Sequence, residues 1–358
     1  MNRILAVLVA AAGVAAPTAA QVQVLELGWV LEREIASTDP ISALMNPVDG
    51  LIYAGQRGQD VYVIDADGVR TKVVDTDDVA GLCVVPQTGD LFMSEDYPGN
   101  IRKIAFGATT AQTWVTGFDS GDDDPIGIAC VPETYAGTLL TPGGMVSTDR
   151  GYGSDDEVWA WSPVTPEGEI EIYNAGSEMV DPVDIAVRAD GEIAIADMAN
   201  GIKLLHDNGT LTDLATSVAL GTIQGLAFDG RSDDLFALDT DSGLVLRIDI
   251  ATGQATPIIA GLPTGGTNWG GLNVYAGSDT QRIIVSSVSA DRIYVFAAVP
   301  GCNIADLSVP FGLLDLSDVT LFVSAFTGLN PIADLNDDGL YDLTDVLGYV
   351  DAFLAGCP

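Results

Sequence analysis

A chain of 358 residues with a formal net charge of -37 and 47% hydrophobic residues is strongly acidic yet apolar enough to bury a large core. It is therefore not a disordered acidic tail. Its 51 acidic residues against 14 lysines and arginines repel phosphate backbones and anionic lipid, which excludes nucleic-acid binding and polybasic attachment to membranes.

In chain order, residues 1–20 predict a secretory signal peptide. Met1-Asn2-Arg3 gives a short positive start, residues 4–16 an apolar run, and Thr18-Ala19-Ala20 a small-residue cleavage site, too short and wrongly flanked for a membrane span. No later stretch is long and apolar enough to cross a bilayer. The mature protein is expected to be secreted or held at a cell surface through a partner, without direct membrane insertion.

Residues 21–299 repeat one theme six times: a short apolar strand, a turn, a second apolar strand ending in Asp or Ser, a loop, and a third strand. The openings are Pro47-Val48-Asp49-Gly50-Leu51, Ala80-Gly81-Leu82, Ile126-Gly127-Ile128, Val183-Asp184-Ile185, Gln224-Gly225-Leu226 and Gly270-Gly271-Leu272. Their spacing and the Gly- and Asp-rich turns between them predict a mainly β fold, one six-bladed β-propeller. The sixth unit lacks an outer strand after Phe296, while residues 22–35 are apolar and unpaired before the first. Closing the ring with that N-terminal strand would remove two exposed sheet edges.

The unit Pro182-Val183-Asp184-Ile185-Ala186-Val187, followed by Gly191-Glu192-Ile193-Ala194-Ile195-Ala196-Asp197 and Asn200-Gly201-Ile202, resembles the NHL repeat and the related gluconolactonase-type propellers. The resemblance implies a fold, and as one alternative a metal-dependent lactonase or other hydrolase that uses carboxylate and amide ligands in place of histidine.

Four of the six openings carry glycine at the aligned position, and the other two carry Asp49 and Asp184. In a six-membered ring those two blades are opposite, so the pair could hold a cation on the channel axis, with Gln224 or Asn273 as neutral ligands. The alternative is that each aspartate caps its own Pro-Val-Asp turn. Asp96, Asp149, Asp197 and Asp239 close four second strands, and their repetition assigns them a structural duty toward nearby backbone N–H groups. Glu95 stands beside Asp96 without an identified partner. His206, the sole histidine, lies in an Asn-Gly hairpin turn, a loop position more than a general base. No nucleophile elbow, His-Glu-X-X-His or phosphate-binding glycine loop is present. The run from Asp119 to Asp124 reads as a solvated connection, with weak calcium binding as its alternative.

Cys83 and Cys130 lie on adjacent inner strands, two and three residues after the aligned glycines. This opposite parity permits an interblade disulfide, and two buried free thiols are the alternative.

Residues 300–358 duplicate a short acidic unit. Ile304-Ala305-Asp306-Leu307 recurs as Ile332-Ala333-Asp334-Leu335, and Leu314-Asp315-Leu316-Ser317-Asp318-Val319 as Tyr341-Asp342-Leu343-Thr344-Asp345-Val346. In the second copy Asp334, Asn336, Asp338, Asp342 and Asp345 place oxygens at loop positions 1, 3, 5, 9 and 12, with Gly339 at 6 and the Leu340 carbonyl at 7, the pattern of a calcium loop. The first copy carries Asp306, Ser308, Asp315 and Asp318, has one extra residue before its glycine, and has Phe311 where the second has Asp338, so it offers a weaker set. Each loop leads into a helix whose expected apolar face is Leu316, Val319, Phe322 or Val323, and Phe326 in one copy and Leu343, Val346, Tyr349 or Val350, and Phe353 in the other. Cys302 and Cys357 bracket the unit, where a bridge would tie its ends in an oxidising compartment.

A duplicated calcium loop and helix with aspartate at position 12, flanked by Gly301-Cys302 and Gly356-Cys357-Pro358, resembles a dockerin module of the GC type. That resemblance implies bound Ca2+, a small all-α module, and a cohesin-like partner contacted through Leu316, Ser317, Leu343 and Thr344. The leading expectation is an exported, partner-anchored propeller serving as a ligand-binding platform. The alternative is a propeller hydrolase acting on extracellular carbohydrate.

Overall fold

The second strands of the repeat, such as Leu235–Asp239 with its run LFALD, which is buried at every position, are largely apolar because a propeller blade is covered on both faces. Side chains alternate across a strand, so Leu235 and Ala237 enter the cluster shared with the preceding blade while Phe236 and Leu238 enter the one shared with the next. A fully buried Phe236 contributes roughly 2–3 kcal/mol by removal of its surface from water.

The computed structural model describes residues 22–26, 28–76, 78–96, 98–116, 124–150, 156–162, 164, 170–176, 178–198, 200–229, 232–264, 271–276, 280–298, 303–308, 313–327, 333, 335 and 340–357. They form six antiparallel sheets, the blades. The inner strands in order are Pro40–Met45, Val79–Val84, Pro125–Cys130, Pro182–Val187, Ile223–Phe228 and Leu272–Ala276. Apolar clusters of this region bridge every pair of adjacent blades, closing from the sixth back to the first through Ile284, Ile293 and Val295 against Ala43, Ile52 and Ala54.

Ring closure follows the expected route. The strand Trp29–Ala36 pairs antiparallel with Arg292–Ala298, from Trp29 opposite Ala298 to Ala36 opposite Arg292, and completes the sixth blade. Arg282 pairs with Glu32 at 2.7 Å and Arg292 with Glu34 at 3.0 Å across that seam; such exposed pairs contribute little beside the backbone ladder and the buried Trp29. A short strand, Gln23–Val24, adds a fifth strand to the fifth blade.

The first blade corrects the sequence register. Its inner strand is Pro40–Met45, and residues 47–50 form the turn that leads to the second strand, Ile52–Gln56. Ser42, opposite Gly55, occupies the place that Gly81, opposite Ser94, holds in the second blade. The Pro-Val-Asp sequence matched the fourth blade by composition, but its turn geometry placed it after the inner strand instead of at its start.

Two helices lie in the tail, α1 (Leu316–Thr327) and α2 (Leu343–Ala355). Phe322 and Tyr349, 27 residues apart, stack with ring centroids 4.0 Å apart and planes at 10°. Ala305, Leu307 and Ala325 are buried around them, with Val319, Phe326, Val346 and Phe353 packed against the cluster. Thus Phe322 and Tyr349 face inward, whereas Leu316, Val323, Leu343 and Val350 are exposed. Asp342 caps α2 by accepting from Thr344 N, and Asp345 completes a capping box. Among the described residues no helix is long and apolar enough to cross a membrane.

Candidate functional site

The six inner strands enclose a cavity on the propeller axis of about 280 Å³. In five blades the pairing of inner and second strands slips by a residue near its start, for example between Pro182 and Asp184 and between Ile223 and Gly225. Bulges of this kind re-aim single side chains.

The aligned position does not point simply at the axis. A Cβ on Gly127 would stand 2.5 Å from Asp184 Cα, and one on Gly81 would stand 2.5 Å from the Ile126 carbonyl oxygen. Glycine recurs there because the next blade's backbone approaches too closely for a side chain. Serines strengthen two of these contacts: Ser94 donates to the Ile126 carbonyl at 2.6 Å and Ser286 to the Ile41 carbonyl at 3.0 Å.

Asp184 is the blade-four departure from this rule. Its carboxylate reaches the fifth blade, accepting from Leu226 N at 2.7 Å, and also accepts from Ile185 N at 2.9 Å. The residue keeps some contact with the axial cavity, but the blades enclose its carboxylate. That burial pushes its pKa up to about 7, against the two N–H bonds that lower it. Gln224, in the bulge of the fifth blade, is 5% exposed, and neither end of its carboxamide has a hydrogen-bond partner among the described residues. A buried amide left unpaired is costly, so it marks a place where water or a ligand group belongs. Asn273 donates to the Ala43 carbonyl at 3.0 Å, across to the first blade.

Asp49 is not part of this cavity. It sits in the exposed turn of the first blade, where its carboxylate accepts from Leu51 N at 2.9 Å and Tyr53 Oη at 3.0 Å. The opposed pair Asp49–Asp184 is therefore not brought together, and Asp49 has the turn-capping role. By ladder register Asn273, opposite Ile284, lies two residues further along the channel than Asp184, opposite Ala196, a depth difference of about 7 Å. One carboxylate with amides at different depths does not fit the six to eight oxygens that calcium takes. Among the described residues no three Asp, Glu, His or Cys side chains gather as a metal set.

The residues at the ends of the second strands are Glu95, Asp149, Asp197 and Asp239, each opposite the first residue of an inner strand. Glu95, not Asp96, thus belongs to the series. Asp149 accepts from Asp124 N at 2.9 Å, Asp197 from Val180 N at 3.2 Å, and Asp239 from Gly221 N at 3.0 Å; these carboxylates hold the loop before the inner strand. Glu95 is buried and pairs with Arg102 at 3.0 Å. His206 Nδ1 stands 2.8 Å from Glu192 Oε1 and Nε2 stands 2.8 Å from Thr212 Oγ1, well occupied at the rim.

Cys83 and Cys130 also line the cavity as free thiols, with their sulfurs 2.8 Å apart. Cys357 is disulfide-bonded, and Cys302 lies outside the described residues.

In the tail, Asp318 accepts from Leu307 N at 2.8 Å, Ser308 N at 2.7 Å and Asp315 N at 2.8 Å. Asp345 repeats this, accepting from Leu335 N at 2.9 Å and Asp342 N at 3.0 Å. Burial opposes the charge on Asp318, but the converging N–H groups hold its carboxyl below the ordinary range. Of the first calcium set, Ser308, Asp315 and Asp318 are brought together and Asp306 is buried. Of the second, Asp342 and Asp345 meet and Leu340 is exposed; Asp334, Asn336 and Asp338 lie outside the described residues. Leu316, Ser317, Leu343 and Thr344 are all exposed. Along α2, Leu343, Leu347, Val350 and Leu354 form one exposed apolar row. The equivalent row on α1 is Leu316, Thr320, Val323 and Thr327, half of it hydroxyl-bearing.

No protein-family model matches the chain, and no curated protein does. Solved structures similar to it include a gluconolactonase from Xanthomonas campestris, described as important in glucose secondary metabolic pathways, at 15% identity and a TM-score of 0.57 over 78% of this chain and 96% of that one. A putative gluconolactonase is similar at 15% identity and a TM-score of 0.54, covering 78% and 92%. A chain of a nidogen–laminin complex is similar at 15% identity and a TM-score of 0.51, covering 62% and 79%. At such identities the shared property is the fold: this chain is a six-bladed β-propeller of the shape that gluconolactonases also have.

Proposed function

We propose that the chain is an exported propeller, attached through its tail to a cohesin-like extracellular or cell-surface partner, with the axial cavity as a ligand-binding site. The observation that carries this reading is the internal symmetry of the tail. Asp318 and Asp345 brace equivalent backbone amides, Phe322 stacks on Tyr349, and α2 leaves an apolar row uncovered. Two such halves match the dockerin-like duplication in the sequence, and an uncovered row of large apolar side chains on a helix is a docking surface.

Calcium enters through the second loop, where Asp342 and Asp345 supply the late ligands of the set that begins at Asp334. The full chain, immobilised and offered purified cohesin-type domains, is expected to bind one of them in calcium and to release it in chelator. Leu347→Asp, on the exposed row, is expected to lower that affinity at least tenfold with propeller unfolding unchanged. Binding that ignores chelation and Leu347→Asp would remove the anchoring function.

A second reading, a lactone- or glycan-cleaving enzyme, is supported by the gluconolactonase neighbours and by the enclosed carboxyl of Asp184 on the cavity. A carboxyl held near neutrality can exchange protons at working pH. Hydrolysis of lactones by the full chain, abolished in Asp184→Ala, would put this reading first.

A further inference from the structure

We propose that Cys83 and Cys130 form a disulfide between the second and third blades, set in the wall of the axial cavity where small thiols reach it and proteins do not. Their sulfurs stand 2.8 Å apart, within about 0.8 Å of a bonded pair. The approach is built into the repeat. A Cβ on Gly81 would meet the Ile126 carbonyl oxygen at 2.5 Å, so the two inner strands run closer than side chains normally allow. Two residues beyond Gly81 and three beyond Gly127, the cysteines then point at each other across the interface.

Their surroundings fix the pair. Cys83 belongs to the cluster of Phe92, Trp114 and Ile128, against which Cys130 packs. Met145, opposite Cys130 in the ladder, places its Sδ 3.7 Å from Cys83 Sγ. Cys83 is 6% exposed and Cys130 is half-buried, and both line the cavity of about 280 Å³. That space admits a small thiol and no protein loop.

Oxidation breaks two S–H bonds, forms one S–S bond and releases two protons and two electrons. The acceptor is a small-molecule disulfide, which is reduced to two thiols. Cys130, the accessible member, exchanges first and releases one thiol of the oxidant; Cys83 then attacks the mixed disulfide and releases the other. Burial pushes the Cys83 thiol well up, which slows that second step in the folded ring. The bond therefore forms most readily before blades two and three close on each other. None of this depends on the ligand, the partner or calcium.

The reduced full chain is to be refolded from denaturant in the presence of oxidised glutathione, then denatured without reductant, and its thiols titrated and its peptides mapped. The expected result is no free thiol and a linked pair containing Cys83 and Cys130, with Cys83→Ser carrying one glutathione on Cys130 in place of the linked pair. Reduction is expected to lower the propeller's Tm by roughly 5–10 °C. To separate the tail, the same shift is to be measured in a Cys302→Ser, Cys357→Ser background, where it persists, and in Cys83→Ala, Cys130→Ala, where it vanishes. Two thiols still titrating after oxidant, a Tm shift that disappears with the tail cysteines, or a soft metal ion held by the two sulfurs in native mass spectrometry would each overturn the proposal.

Discussion

Replacing Gly127 by alanine tests the idea that the ring is held by backbone-to-backbone approach at the aligned position. The new Cβ would lie 2.5 Å from Asp184 Cα, 2.9 Å from its carbonyl carbon and 3.0 Å from its nitrogen. All three are backbone atoms, so no side chain can swing aside. Carbon atoms rest about 3.5–4.0 Å apart, and blades three and four must separate by roughly 1 Å or twist. That strains the Thr148 Oγ1 bond to Gly127 N and the Ser147 bond to its carbonyl, at 3.0 and 2.7 Å. Overpacking of this kind costs about 1–3 kcal/mol, and rigid neighbours place it at the upper end. For a unit of this size each kcal/mol shifts Tm by about 2–4 °C, so thermal unfolding followed by circular dichroism should show a fall of roughly 6–12 °C. A Tm within 1 °C of the parent would refute the close-approach explanation of the repeated glycine.

Asp184 gives the propeller a signed pH dependence. Its folded pKa of about 7 lies above the ordinary 3.8, so the folded state holds the proton more tightly, and this stabilisation is complete below about pH 4 and lost as pH rises through about 7. Three pH units correspond to at most about 4 kcal/mol. Asp184→Asn should therefore flatten the decline in Tm between pH 4 and 7, and parallel curves for the two proteins would contradict it. In the tail, Gly348 lies inside α2 with nothing within 4 Å of its would-be Cβ. Gly348→Ala should stabilise the helix by about 1 kcal/mol, read as slower amide exchange through Asp345–Ala352; faster exchange would indicate a contact that the open space excludes.

The propeller was legible because its blades are buried on both faces. Runs such as Ile193–Asp197 and Leu235–Asp239 lack the polar alternation of a half-exposed strand, and their repetition counted the blades. The unpaired apolar N-terminus predicted the seam with Arg292–Ala298, since an open ring would leave two edges bare. The opposite parity of Cys83 and Cys130 accords with sulfurs that face each other 2.8 Å apart, because period-two alternation survives any local error in turn type. Helix faces were read less well. Val323 and Phe322 both satisfy the spacing, and only the stack of Phe322 on Tyr349 decides which one faces inward.

The first-blade inner strand and the channel position were misread because composition does not carry turn geometry. Pro47-Val48-Asp49 and Pro182-Val183-Asp184 share letters, yet one is a turn closed by Asp49 on Leu51 N and the other an inner strand. The aligned glycines stand at close interblade approaches, where a Cβ would lie 2.5–3.0 Å from the neighbouring blade, a constraint that their letters alone do not carry. A position repeated around the ring answers to the repeat, and glycine, the buried serines and the strand-end carboxylates all do so. What the ring's geometry does not require is Asp184 in place of glycine, the unpaired carboxamide of Gln224, and two thiols at one interface. All line the axial cavity and all lie between the second and fifth blades. The chemistry of the propeller is therefore to be sought on that side of the axis, in the residues by which these blades differ from the others.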